Sequence, residues 1–373
     1  MTRCSQFAAR LPVQFRLSRR GWLALCALSW AGSLSSCQHS TPNDSLEQEV
    51  VAYFIDSATL QHRKLENKTR KLELAAAELC DQPSEESLEA ARDAYLAARR
   101  PWIRSRAFSF GPEVNFPQRY KAKIDFQPPR HDDMAELLSS DDPLPPADET
   151  GSHLRGFPAV EYLLFGPISN DLEADSRGCD YLSSVSADLH ENAQALFFSW
   201  DPGHGNYAAE ARAETGNTFE STHEALSGIV NRMSYVVENI RDQDLRAPLG
   251  DLPGDIMGDL IVDRLSGRSL KNIEDALDSV ESFFFGDAAT PRPGLSQFAH
   301  AQGYDFDAPI SEALAAARAA LSEMGPTLID AFHEQEDQLE QLDESLYELQ
   351  LLLQIDIIAA LELSQIFNEA DGD

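Results

Sequence analysis

Val51, Ala58, Leu65, Leu72 and Leu79 recur every seven residues. That stripe predicts one long amphipathic helix from about Ser45 to Cys80. Pro83-Ser84 interrupts it, and Ser84 is placed to cap a second helix whose apolar face is Leu88, Ala91, Tyr95 and Ala98. Near the other end, Leu339, Leu342, Leu346, Leu349 and Leu353 alternate steps of 3 and 4, and Ile357 and Leu361 continue the stripe to about Phe367. Ile310, Leu314, Ala317, Leu321 and Met324 predict another helix, which Gly325-Pro326 ends. Leu270, Ile273, Leu277, Val280 and Phe284 predict one more, with Ser269 as the expected cap. No set of alternating apolar and polar segments competes, so the pattern predicts an all-α chain.

Residues 111–152 break the pattern. Pro112, Pro117, Pro128, Pro129, Pro143, Pro145 and Pro146 exclude a regular helix there. A proline-rich irregular insertion of this length within a helical domain is expected to be functional or an added segment. A short repeat is also visible. Residues 159–166 read AVEYLLFG and residues 279–286 read SVESFFFG, 120 positions apart. Each places a glutamate (Glu161, Glu281) five residues before a glycine that is expected to stop a helix. Two unrelated helix ends give the same match. Duplication is the favoured reading, and it predicts two related up-and-down bundles packed together, over 37–200 and 201–373.

The first residues read as an export signal. Arg3, Arg10, Arg16, Arg19 and Arg20 precede an apolar run from Gly21 to about Leu34, and residues 1–36 contain no Asp or Glu. Leu34-Ser35-Ser36-Cys37 resembles the bacterial lipobox, whose cysteine is lipidated after cleavage. Gln38 follows it, which in Gram-negative lipoproteins implies sorting to the outer membrane, facing the periplasm. Membrane contact is then expected through the lipid on Cys37, with residues 38–45 as a tether. Ser18-Arg19-Arg20-Gly21-Trp22-Leu23 fits a twin-arginine box or a plain Sec signal equally well.

Charge narrows the partners. The chain has 373 residues and a formal net charge of −32, with 43% apolar residues. The apolar content is enough for a core and excludes full-length disorder. The negative field excludes nucleic acid as a partner. After removal of the signal and lipidation, Cys80 and Cys179 are the remaining cysteines. In an oxidising compartment they form either a bridge or two separate thiols, because sequence does not give their separation.

Further blocks carry a family resemblance. Residues 155–166 read RGFPAVEYLLFG, residues 99–112 run from Arg99-Arg100-Pro101-Trp102 to Ala107-Phe108-Ser109-Phe110-Gly111-Pro112, and Arg246-Ala247-Pro248-Leu249-Gly250 precedes Ser266-Gly267-Arg268-Ser269-Leu270. The ending, Leu352 through Asp356 to Phe367-Asn368 and Asp371-Gly372-Asp373, belongs to the same series. In this order the blocks resemble the imelysin family, also called peptidase family M75, over most of the mature chain. The resemblance implies a periplasmic or lipid-anchored helical protein of two bundle-like halves, associated with iron uptake. It places a site between the halves, around the motif Gly-x-His-x-x-Glu.

This chain departs from the motif. Gly156 and Glu161 match, but Pro158 stands in place of the histidine, and Arg106 stands where relatives often carry a glutamate. Proline has no ligand atom, so the paired donors that a metal needs on one helix face are reduced to Glu161. Arg106 is expected to become the partner of Glu161. The nine histidines include no His-x-x-x-His pair. His153 and the His131-Asp132-Asp133 cluster are weaker candidates for a ligand. The expected role is therefore a non-catalytic binding or accessory component in iron or metal acquisition. It would hold an iron or other divalent cation, a small ligand or an envelope protein in a cleft. The cleft candidates are Trp102, Arg106, Phe110, Gly156, Pro158, Glu161, Arg268, Ser269 and Glu281, with no catalytic residue. The alternative is a divalent-metal-dependent peptidase of the imelysin type, which needs an activated water and a base that this motif does not supply.

Overall fold

A computed structural model describes residues 42–172, 176–250, 255–287 and 291–366. The segment read as an export signal, Cys37 and the ending from Phe367 lie outside the described residues. The fold is all-α, and the only described β pairing is an isolated bridge between Asp287 and Arg292.

Helix α1 runs from Pro42 to Asp81, 40 residues, or about 60 Å at 1.5 Å per residue. Its heptad positions Val51, Ala58, Leu65, Leu72 and Leu79 are all buried. α2 (Glu85–Arg104) returns along it. Ser84 caps α2: its hydroxyl accepts from Ser87 N, while its own N–H donates to Ser87 Oγ. Pro101 lies inside α2 without ending it. Two short helices follow in the proline-rich stretch, α3 (Tyr120–Ile124) and α4 (His131–Ser139). This stretch is therefore not wholly irregular. Ile124 and Met134 are fully buried, because alternating proline turns and single helical turns still present apolar side chains to α5 (Gly156–Phe165) and α6 (Arg177–Trp200).

α6 lies along α1, and a Cys80–Cys179 disulfide joins the end of α1 to the start of α6. After the short α7 (Tyr207–Ala211), α8 (Thr222–Asn239) passes into a π-helical stretch, Ile240–Arg246. α9 (Ser269–Phe285), α10 (Leu295–Ala301), α11 (Asp307–Glu323), α12 (Leu328–Glu334) and α13 (Glu336–Leu351) complete the set. α1 touches α8 and α10 as well as α2 and α6, so it is shared by helices from early and late sequence. None of the described helices is long and apolar enough to cross a membrane.

Two local expectations are corrected, and the two glycine stops hold with different backbone geometry. Ser269 does not cap α9. It is the first helical residue, Arg268 takes the cap position, and the Ser269 hydroxyl donates to Val262 O at 2.6 Å. Gly286 ends α9 with φ +81°, but Gly166 ends α5 in extended backbone, with its N–H on Tyr162 O. The last apolar stripe leaves the α-helix at Leu351, continues as a π-helical turn over Leu352–Ile357, and its helical part ends at Ala360 rather than near Phe367.

Candidate functional site

Tyr95, Arg99 and Trp102 stand at i, i+4 and i+7 of α2, so they share one face. Each meets a carboxylate that comes from elsewhere in the chain. Arg99 is fully buried, with Nε 2.6 Å from Asp263 Oδ2 and a terminal nitrogen 2.8 Å from Asp125 Oδ2. Its guanidinium also lies over the Phe157 ring, 4.7 Å from the centroid. Tyr95 OH and Asn272 Nδ2 donate to Asp263 at 2.8 and 2.6 Å, and Trp102 Nε1 donates to Asp125 at 2.6 Å. Burial opposes charge on Asp125, but Arg99, with Gln127 and Trp102 donating, outweighs it and holds the carboxyl below its usual range. Asp263 sits in the left-handed region, φ +54°, in the turn that leads to α9.

The motif helix α5 is seated against the same cluster. Gly156 opens it at φ +72°, and a Cβ there would stand 2.4 Å from Ile124 O. Only glycine combines that angle with so close a backbone approach. Pro158 is buried in the first turn, where a missing N–H costs little. Glu161 is 1% exposed. Its Oε1 accepts from Ser266 N at 2.8 Å and from Ser266 Oγ at 2.9 Å. Burial, then repulsion from Asp263, raises its pKa to about 8, against the opposing pull of the Ser266 donors and Arg99. Glu161 therefore keeps its proton through neutral pH.

The expected Glu161–Arg106 pair does not form. Arg106 reaches Asp244 in the π-helical stretch instead, at 3.0 Å. The motif residues also do not fit a cation. Pro158 offers no donor atom, and one Glu161 oxygen is committed to two Ser266 donors.

Beside this cluster lies a cavity of about 590 Å³. Trp102, Arg106, Glu113 and Asp125 line it from early sequence, and Arg232, Tyr235, Asp244 and Val262 from late sequence. The volume suits a small ligand. The wall carries both signs of charge. Arg106 is paired with Asp244, while Arg232 lies over the Tyr235 ring, 5.4 Å from its centroid.

The other predicted residues have partners of their own. Phe110 packs on Trp200 and Tyr207, at 5.4 and 6.3 Å between ring centroids, as part of the core. Arg268 pairs with the buried Asp275, which also meets Arg100 at 3.1 Å. Glu281 is half-exposed and pairs with Arg318 at 2.6 Å, so the two repeat glutamates have different roles. His153 faces Asp133 at 3.6 Å, and His131 stacks on Tyr162. Sequence reasoning missed Arg99, Asp125, Asp244 and Asp263 as site residues. Arg99 and Ser266 fell within quoted blocks, but nothing local marks the three aspartates.

The imelysin family profile matches residues 58–354. No match was found among the curated proteins. Two crystal structures are similar in fold. One is described as an iron-regulated protein A precursor from Parabacteroides distasonis ATCC 8503, with a TM-score of 0.72 at 17% identity over 88% of this chain and 97% of that one. The other is an imelysin-like protein from Psychrobacter arcticum 273-4, with a TM-score of 0.73 at 18% identity over 88% of this chain and 99% of that one. The matched span takes in α2, the RGFPAVEYLLFG helix and the turn that holds its glutamate, and this chain belongs to the imelysin family.

Proposed function

We propose that this imelysin is a non-catalytic binding component of iron or other metal acquisition, exported and lipid-anchored through Cys37 to the periplasmic face of the outer membrane. The observation that carries the binding role is the 590 Å³ cavity walled by Trp102, Arg106, Arg232 and Asp244, next to a motif glutamate already held by Ser266. The chain has a ligand-sized space and carries Pro158 at a motif position where metal-assisted hydrolysis would need a donor. A structural relative described as iron-regulated supports the iron connection. The lipobox-like Leu34-Ser35-Ser36-Cys37 supports the anchor.

The test is thermal stability of residues 38–373 with ferric citrate and with ferrous sulfate, beside Arg106→Ala and Arg232→Ala. The expected result is stabilisation of the wild type that both variants weaken, with no cleavage of an unfolded casein substrate. Casein cleavage that stops with chelator would replace this reading with the peptidase one. Unchanged stability with both probes would remove iron from it. Labelling with palmitate in a Gram-negative host, lost in Cys37→Ser, checks the anchor.

A further inference from the structure

His62 and Glu113 form a second polar site that no family motif includes. His62 lies on α1 and is fully buried; Glu113 is 2% exposed. Glu113 comes from the turn that follows Phe110, and it lines the 590 Å³ cavity. His62 Nε2 and Glu113 Oε2 face each other at 3.7 Å, too far for a hydrogen bond. Neither His62 nitrogen has a hydrogen-bond partner, and neither has Glu113 Oε2. Ser109 Oγ, on the same cavity wall, is also unpartnered. Trp200 meets the imidazole nearly edge-on at 4.9 Å between centroids, so the ring is fixed by packing.

A folded chain seldom leaves three polar atoms of two facing buried side chains unsatisfied. An imidazolium–carboxylate pair does not resolve it, because an imidazolium needs an acceptor at each nitrogen and neither has one. The separation does fit shared ligation. Bonds of about 2.1 Å to a nitrogen and an oxygen put those atoms about 3.4 Å apart at a tetrahedral angle, and about 3.7 Å apart at roughly 125°. We propose that His62 and Glu113 bind one divalent transition cation, which reaches them through the cavity and completes its coordination with water. One imidazole nitrogen and one carboxylate suit zinc, ferrous iron or manganese better than calcium. The inference rests on the binding role proposed above and gives it a metal ligand set outside the motif.

Zinc is the probe, because it is redox-inert. The experiment is equilibrium dialysis of residues 38–373 against Zn²⁺ in 0.5 M NaCl, with bound metal counted and thermal stability followed. The comparison proteins are His62→Phe, Glu113→Gln and His300→Ala. The last removes the imidazole from the exposed trio His300, Asp305 and Asp307, the one cluster of three potential ligands among the described residues. The expected result is one zinc that wild type and His300→Ala retain. His62→Phe and Glu113→Gln should each bind it more than about tenfold more weakly. Without metal, His62→Phe should melt no lower than wild type, since the change removes unpartnered nitrogens and keeps a ring against Trp200. Should His62→Phe fail to fold, Glu113→Gln carries the test. Zinc that persists in both variants, zinc lost only in His300→Ala, or no zinc retained by wild type each overturns the proposal. Failure here leaves the ferric citrate response and its dependence on Arg106 and Arg232 untouched, so the two readings fall separately.

Discussion

Arg99 Nε lies 2.6 Å from Asp263 Oδ2, and this fully buried pair joins α2 to a turn 164 residues later. Asp263 serves Tyr95 and Asn272 at the same time. Removing one charge from such a set leaves the other buried with less than full compensation. Asp263→Asn should destabilise the protein by about 3–5 kcal/mol in urea unfolding. A loss below about 1 kcal/mol would show that the cluster contributes little to holding α2 against that turn.

Glu161 predicts a pH effect. The unfolded chain releases this proton near 4.5, while the folded chain keeps it to about 8. The folded state therefore binds more protons between those values, and stability falls as pH rises through that window. Glu161→Gln removes this dependence. It should match wild type near pH 4 and exceed it above pH 8, on the order of 2–4 kcal/mol. Melting curves at the two pH values decide it; an equal difference at both would place the effect in packing rather than in titration.

The disulfide closes a long loop, since Cys80 and Cys179 are 99 positions apart. A cross-link of that span restricts the unfolded chain, so the Cys80→Ser/Cys179→Ser double variant should lose about 2–4 kcal/mol. Reducing agent should lower the wild-type melting temperature and leave the double variant unchanged. If reductant affects both equally, the bridge is not the cause.

Gly156 predicts a steric effect on the motif helix. Gly156→Ala adds a Cβ 2.4 Å from Ile124 O in a residue at φ +72°. The expected cost is about 2 kcal/mol or more, because neither the angle nor the neighbouring backbone can relax cheaply. Near-UV circular dichroism should report disturbed packing around Phe157, whose ring carries Arg99. Wild-type stability in Gly156→Ala would mean that α3 and α5 do not approach each other so closely.

Periodicity by itself determined the helices. A residue's face on a helix depends only on its spacing, so Val51 to Leu79 and Leu342 to Leu353 announced stripes that the fold then buried, with Leu339 partly buried at the end of the second. Ser84 was legible as a cap for the same reason, since capping acts across three residues. The family was legible because its blocks are contiguous. The site's pairings were not. Glu161 meets Ser266 across 105 positions, and Arg106 meets Asp244 across 138. Neither separation leaves a local pattern. The expected Glu161–Arg106 pair failed because complementary charge says which groups can pair, and only packing decides which ones meet. His62 and Glu113 follow the same rule: each reads as an ordinary polar residue in its own segment, and only the close approach of α1 to the turn after Phe110 sets the two side by side away from bulk water.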